Sequence, residues 1–173
     1  MNEIPDTKTC LAFLQEVGCS DIVIAHCKAV REVAVRIAIR AHANVLLVSA
    51  GALLHDIGRS KTHGIQHGVE GARIAQELGL PQSIVLIIER HLGAGIPKEE
   101  AVVLGLPARD FLPQTLEEKI VAHADNLIDN DHKQPIENEV AKVLKKGQKT
   151  HAARLLQLHR ELSERCGIDL NLI

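Results

Sequence analysis

Apolar residues recur with the 3.6-residue period of helices along nearly the whole 173-residue chain. Asp6 is placed to N-cap a first helix with Leu11, Leu14 and Val17 on one stripe, and Gly18 supplies a left-handed stop. Ser20 or Asp21 opens a second helix that runs to about Arg40. Lys28, Glu32, Arg36 and Arg40 mark its wet face, and His26, Val30, Val33 and Ile37 its dry one. His26 therefore points where the valines point. Asn44 caps a third helix, Val45 to about Ile57, which is apolar almost all round and so belongs at the centre. Gly51 and Ala52 are small enough to let a neighbouring helix approach it closely.

The remaining segments read the same way. A fourth helix carries His67, Gly71, Ile74 and Leu78 on one stripe and stops at Gly79. Pro81, at the first helical position, begins a fifth in which Ile84, Ile87, Ile88 and His91 face one way before Gly93. Pro97 opens a short helix through Val103. Thr115-Leu116-Glu117-Glu118 is a capping box that launches a helix with Val121, Asp125 and Ile128 in register. Pro135 begins another, acidic early (Glu137, Glu139) and basic late (Lys145, Lys146), as the helix dipole prefers. Thr150 to Cys166 forms the last, ended by Gly167. No segment alternates with period two. The expected fold is all-α, a single domain over residues 1–173 without repeats, its helices over 135–166 packed on a core.

Composition narrows the function. Charges nearly cancel, with 20 Lys+Arg against 22 Asp+Glu, which argues against attachment to nucleic acid by phosphate neutralisation. Residues 133–173 hold 8 basic and 5 acidic residues, a surplus read as a solvated helix face. Phe13 and Phe111 are the only aromatic residues besides histidine, too few to read single strands by stacking. The longest apolar run, Ala43 to Leu54, is too short to span a bilayer. No export signal is visible, and Cys10, Cys19, Cys27 and Cys166 form no CxxC pair, so reduced thiols in a cytoplasm are expected.

Ten histidines are the unusual feature. Four polar residues stand where the pattern demands apolar ones. His26 is on a buried stripe, His55 and Asp56 end the apolar helix, and Asp125 lies among Val121, Ala122 and Ile128. Burying such groups costs several kcal/mol unless they are paired or ligate a cation. Inward-facing polar groups from three helices are how bundles build metal sites. Imidazole with carboxylate suits Mn, Fe, Mg or Zn.

His26, then His55-Asp56-Ile57-Gly58, then Asp125 resembles the H…HD…D signature of the HD superfamily of metal-dependent phosphohydrolases in its HDIG form. The resemblance covers about residues 22–130. It implies that His26, His55, Asp56 and Asp125 hold a divalent metal. His67-Gly68-Val69-Glu70-Gly71-Ala72 and His91-Leu92-Gly93 are similar to the extra histidines of branches with two metals. Two ions are thus favoured, with Asp56 bridging them. The implied chemistry is hydrolysis of a phosphoester or phosphoanhydride in a small nucleotide-type substrate by a metal-bound hydroxide. Arg59 and Lys61 are expected to hold the phosphoryl group, and His63 to protonate the leaving group.

The GYP signature of cyclic-di-GMP phosphodiesterases is missing after His91. Arg59 stands where the 5′-nucleotidase-like branch tends to be acidic. Small HDIG proteins remain, including the symmetrical diadenosine tetraphosphate hydrolase branch. The runner-up is a non-catalytic module that binds a nucleotide or partner and keeps a structural metal. His67 and His91 also fit helix capping, and Arg59 and Lys61 also fit a helix C-terminus. His123 faces away from Asp125. His42, His132, His151 and His159 are expected at the surface, and Cys27 off the His26 stripe. Nucleic acid and membrane are not expected partners. A homo-oligomer is an analogy from the fold alone.

Overall fold

The computed structural model describes residues 3–173; residues 1–2 of the expected span lie outside them. Helix α1 (Thr7–Glu16) is followed by α2 (Asp21–Ala41) and α3 (Val45–Leu54), then a 3-10 turn (Ile57–Ser60). Helices α4 (His67–Glu77), α5 (Gln82–Glu89), α6 (Lys98–Val103) and α7 (Leu116–Asn126) come next. A hairpin of β1 (Ile128–Asp129) and β2 (His132–Lys133) leads to α8 (Ile136–Lys145) and α9 (Lys149–Cys166), and a 3-10 turn (Leu170–Leu172) closes the chain. The fold is all-α, apart from that hairpin and an isolated bridge between Ile96 and Phe111. Both are too short to leave a period-two pattern.

Local capping explains most boundaries. Asp6, Ser20, Asn44 and Thr115 each accept a hydrogen bond from a backbone N–H in the first turn that follows. The Thr115 box closes differently from the expected form. Glu118 accepts from the Gln114 N–H (2.8 Å) and from Arg90 (3.0 Å), so the box also anchors α7 to the end of α5. Pro81, Pro97 and Pro135 precede their helices as cap residues, one position earlier than expected for Pro81. Helix α3 ends at Leu54, short of Ile57, for a reason given with the site below.

Two apolar clusters share α2 and α3. One joins them to α7, α8 and α9 through residues such as Ile37, Val48, Ile120, Ile136 and Leu155. The other joins them to α1, α4 and α5 through Leu14, Leu53, Ile57, Ile84 and Ile88. Each such fully buried aliphatic contributes about 1.5–3 kcal/mol. A Cβ on Gly51 would lie 2.8 Å from Ile87, so glycine there sets how closely α5 approaches α3. Among the described residues, no helix is long and apolar enough to cross a membrane.

Two surface expectations are corrected. His159 is buried on the Leu155–Leu158–Leu162 stripe of α9, between His123 (3.0 Å) and Asp169 (3.1 Å). His123 does face away from Asp125, but into this buried contact, and burial pushes its pKa down to about 3. His151 is half-buried in the first turn of α9 and lines a cavity. His42 and His132 are exposed. Cys27 lies off the His26 stripe as expected, buried in the cluster shared with α1, α4 and α5.

Candidate metal centre

Helix α3 is buried on nearly every side, so the chain leaving it at His55 and Asp56 is already at the centre of the molecule. The 3-10 turn after Asp56 packs its backbone directly on α4. A Cβ on Gly58 would overlap the His67 carbonyl oxygen and lie 2.6 Å from the Gly71 nitrogen. That contact tightens the chain after Asp56 into a 3-10 turn, so α3 cannot run on to Ile57. It also brings His67 Nε2 to 3.1 Å from Asp56 Oδ1.

Six side chains meet there. His26 Nε2 is 2.9 Å from Asp125 Oδ1 and 3.8 Å from Asp56 Oδ2. His55 Nε2 lies 3.5 Å from Asp125 Oδ1 and 3.7 Å from Asp56 Oδ2. His91 Nε2 is 3.5 Å from Asp56 Oδ1 and 3.1 Å from His67 Nε2. The other ring nitrogens all have the same kind of partner. Nδ1–H of His55, His67 and His91 donates to the carbonyl three residues earlier, at Ala52, Gly64 and Ile88 (2.7–2.8 Å). His26 Nδ1–H donates to Asn130 O at 2.5 Å. A carbonyl only accepts, so each ring carries a proton on Nδ1 and turns Nε2 toward the two carboxylates. Four Nε2 atoms and two carboxylates thus converge, the arrangement in which backbone acceptors orient metal-binding imidazoles.

His55 Nε2 and Asp56 Oδ1 are buried without a hydrogen-bond partner. Burial pushes the Asp56 carboxyl upward, but the surrounding His55, His67 and His91 rings outweigh it and hold the group well below 3.8. Asp125, also pushed upward by burial, is held low by His55 and His26. The two carboxylates in turn draw a proton to His55, raising it well above 6.5 against the cost of burial. His91 is driven down by burial despite Asp56. Two carboxylates ringed by four imidazoles hold negative charge at the centre, and the same Nε2 and carboxylate atoms are the donors a divalent cation takes. Among the described residues, two donor sets lie within 4.8 Å, namely His26, His55, Asp125 and His55, Asp56, His91.

The other predicted residues divide. Arg59 Nε donates to Asp56 Oδ2 at 2.5 Å, and Arg59 and His63 line a cavity of about 1330 Å³ that reaches down to His26, Asp56 and Asp125. Lys61 does not join them. It follows the 3-10 turn with its side chain exposed, outside the cavity lining. Sequence reasoning missed Asn130, whose contribution is a main-chain oxygen. Asn130 has φ +58°, a left-handed conformation that asparagine tolerates and that glycine adopts without strain. Asn130→Gly is expected to bind Mn²⁺ within twofold of wild type. Asn130→Val, disfavoured at that φ, should weaken binding about 10–100-fold, as loss of an orienting partner does. Electron paramagnetic resonance titration of free Mn²⁺ checks both, and equal affinity in the two variants would remove the orienting role.

A family model described as "HD domain" matches residues 23–130, a span that begins just before His26 and ends just after Asp125. The chain belongs to the HD domain family. As an HD protein it is 48% identical over 168 residues to a tRNA (cytidine(56)-2'-O)-methyltransferase of Thermoplasma volcanium, covering 97% of this chain and 50% of that one. It is 51% identical over 152 residues to an uncharacterised protein of Methanocaldococcus jannaschii, covering 84% of this chain and 90% of that one. The chain spans about half the length of the methyltransferase relatives it matches. Its fold is that of the HD domain of L. monocytogenes phosphodiesterase PgpH, solved with cyclic-di-AMP (TM-score 0.58, 19% identity, 85% of this chain and 92% of that one).

Proposed function

We propose that this HD protein is a metal-dependent phosphohydrolase acting on a nucleotide-type phosphoester, with His26, His55, Asp56, His67, His91 and Asp125 holding one or two divalent cations. The observation that carries the reading is the set of four imidazoles with Nδ1–H committed to carbonyls and Nε2 turned onto Asp56 and Asp125. Asp56 has the rings of His26 and His55 on Oδ2 and those of His67 and His91 on Oδ1, and a carboxylate with imidazoles on both oxygens favours two cations over one. Mn, Fe, Mg and Zn all suit nitrogen and carboxylate donors. Such cations would supply water activation and neutralise phosphoryl oxygens.

The chain's own groups complete the site. Arg59 is fixed through Nε on Asp56, and its other N–H groups serve a phosphoryl oxygen from the cavity wall. His63, at the mouth, is the proton donor to the leaving group. Lys61 is dropped from both roles. The test is release of phosphate or alcohol from nucleotides, dinucleotides and aryl phosphates with Mn²⁺ or Fe²⁺. Metal analysis should give close to two ions per chain, falling in His67→Ala. No release from any compound would overturn the reading.

A second reading has one specific support. Relatives in which this chain is half of a tRNA methyltransferase favour a phosphoester carried on RNA, a partner class that the charge balance disfavours. In this reading methyl transfer belongs to the half without a counterpart here, because a buried His/Asp cluster suits phosphoryl rather than methyl transfer. Cleavage or end-trimming of a tRNA transcript, against free nucleotides at equal concentration, separates the two.

A further inference from the structure

We propose that Asn126 is a positioning residue for the cation donors: by tying the end of α7 to the turn after His91, it holds His91 on Asp56. This role rests on the reading that the His/Asp cluster takes a cation, and adds a residue outside the donor sets.

His91 needs such a tie because it stands beyond Arg90, the C-cap of α5, outside that helix's own ladder of hydrogen bonds. Its Nδ1–H on Ile88 O sets the orientation of the ring, not the path of the main chain that carries it. Two residues on, Gly93 turns the chain with φ +58°, in the left-handed region. Asn126 Nδ2 donates to the Gly93 carbonyl at 2.9 Å. Asn126 is only 6% exposed and directly follows Asp125. One side-chain amide thus joins the segment bearing a donor of the set His26, His55, Asp125 to the segment bearing a donor of the set His55, Asp56, His91.

The same junction has further supports. Helix α9 presses the ring of His151 against Gly93, where a Cβ would overlap His151 Nε2. Gly93 therefore meets an amide from α7 and an imidazole from α9 at once. The main-chain oxygen of Asn126 accepts from Gln134 Nε2 at 3.1 Å, and the Gln134 N–H donates to Leu127 O at 2.8 Å. Gln134 is buried just after the β1–β2 hairpin, whose Asn130 carbonyl holds His26 Nδ1–H. The supports of His26 and of His91 meet at Asn126.

An amide is the group this place demands. The Gly93 carbonyl only accepts, so the residue facing it must donate, and an aspartate of the same shape would set a second acceptor against it. Without a donor the carbonyl must find another partner, and the turn moves to reach one. Cation donors are confined to about ±0.2 Å around their bond lengths, so a small displacement of this turn is felt at the site.

The experiment titrates Mn²⁺ by electron paramagnetic resonance into the full chain as wild type, Asn126→Ala, Gly93→Ala and the double variant Gly93→Ala/His151→Ala, with cation-free melts alongside. Asn126→Ala should bind about 10–100-fold more weakly, as loss of a supporting partner does. Gly93→Ala should lose a similar amount by driving the turn off His151, and folds because the obstacle is a side chain rather than backbone. Removing the ring in the double variant should restore affinity to within about threefold of wild type, while its melting temperature stays low because alanine at φ +58° remains strained. Loss of stability alone cannot produce that recovery. Asn126→Ala that melts lower yet binds Mn²⁺ like wild type overturns the positioning role and leaves the metal-dependent reading standing. A double variant no better than Gly93→Ala does the same, and the Gly93 pair decides if Asn126→Ala does not fold. Wild type that takes up no Mn²⁺, Fe²⁺ or Zn²⁺ overturns both.

Discussion

Replacing Asp56 with asparagine is expected to lower kcat/KM by at least about a thousandfold, some 4 kcal/mol of transition-state stabilisation, without unfolding the protein. Asparagine keeps the volume of a side chain that is only 2% exposed, and removes the charge that His55, His67 and His91 surround. Without a cation, the rings and Arg59 Nε hold the carboxylate well below its ordinary pKa, so its charge stabilises the fold at neutral pH. The variant's cation-free melting temperature should therefore lie below that of wild type. The difference widens on adding cation. At about 100 times Kd a bound ion stabilises wild type by about 2.7 kcal/mol, or roughly 5–10 °C for a chain of this size, and the variant should show almost none of it. Calorimetric melts with and without Mn²⁺, alongside turnover, read both effects. A variant that keeps wild-type turnover would show that Asp56 is a core residue and not a ligand.

Gly58→Ala should be the most damaging single methyl in the chain. The added Cβ meets backbone on two sides, the His67 carbonyl and the Gly71 nitrogen, and neither can swing away as a side chain can. Helix α4 would have to retreat, and His67 would leave its 3.1 Å approach to Asp56. A loss of about 3 kcal/mol is expected, a fall of roughly 6–12 °C, together with weaker cation binding. Gly147→Ala is the control. It faces open space at φ +74°, and costs only the strain of that conformation, about 1–2 kcal/mol. Its cation affinity should be unchanged. If Gly58→Ala melts with wild type, close docking of the turn on α4 is not what places His67.

Much of the candidate site was legible because its signals are local and periodic. His26, His67 and His91 each interrupt an apolar stripe, and the His55-Asp56 pair ends a helix with no wet face. Burial of polar groups in register is a question of helical phase, which a sequence carries. Capping is equally local, so Asp6, Ser20, Asn44 and Thr115 marked their helices correctly. Direction is less legible: Lys61 is close in sequence to the His-Asp pair, yet after the 3-10 turn it is exposed and outside the cavity lining. His159 failed because its partner, His123, is 36 residues away on another helix.

By itself, the sequence determined which segments are helical, which face of each is dry, and which histidines and aspartates lie on those faces, because periodicity and capping act over one or two turns. Only the tertiary structure decided that α3 stops at Leu54, before the turn whose Gly58 backbone packs directly on α4. It alone decided that the carbonyl of Asn130 fixes His26 across 104 positions. It also decided that Lys142 lies between Asp129 and Glu139. Contacts between distant segments depend on how whole helices dock, and docking is settled by the summed packing of both apolar clusters, which no short stretch of residues contains.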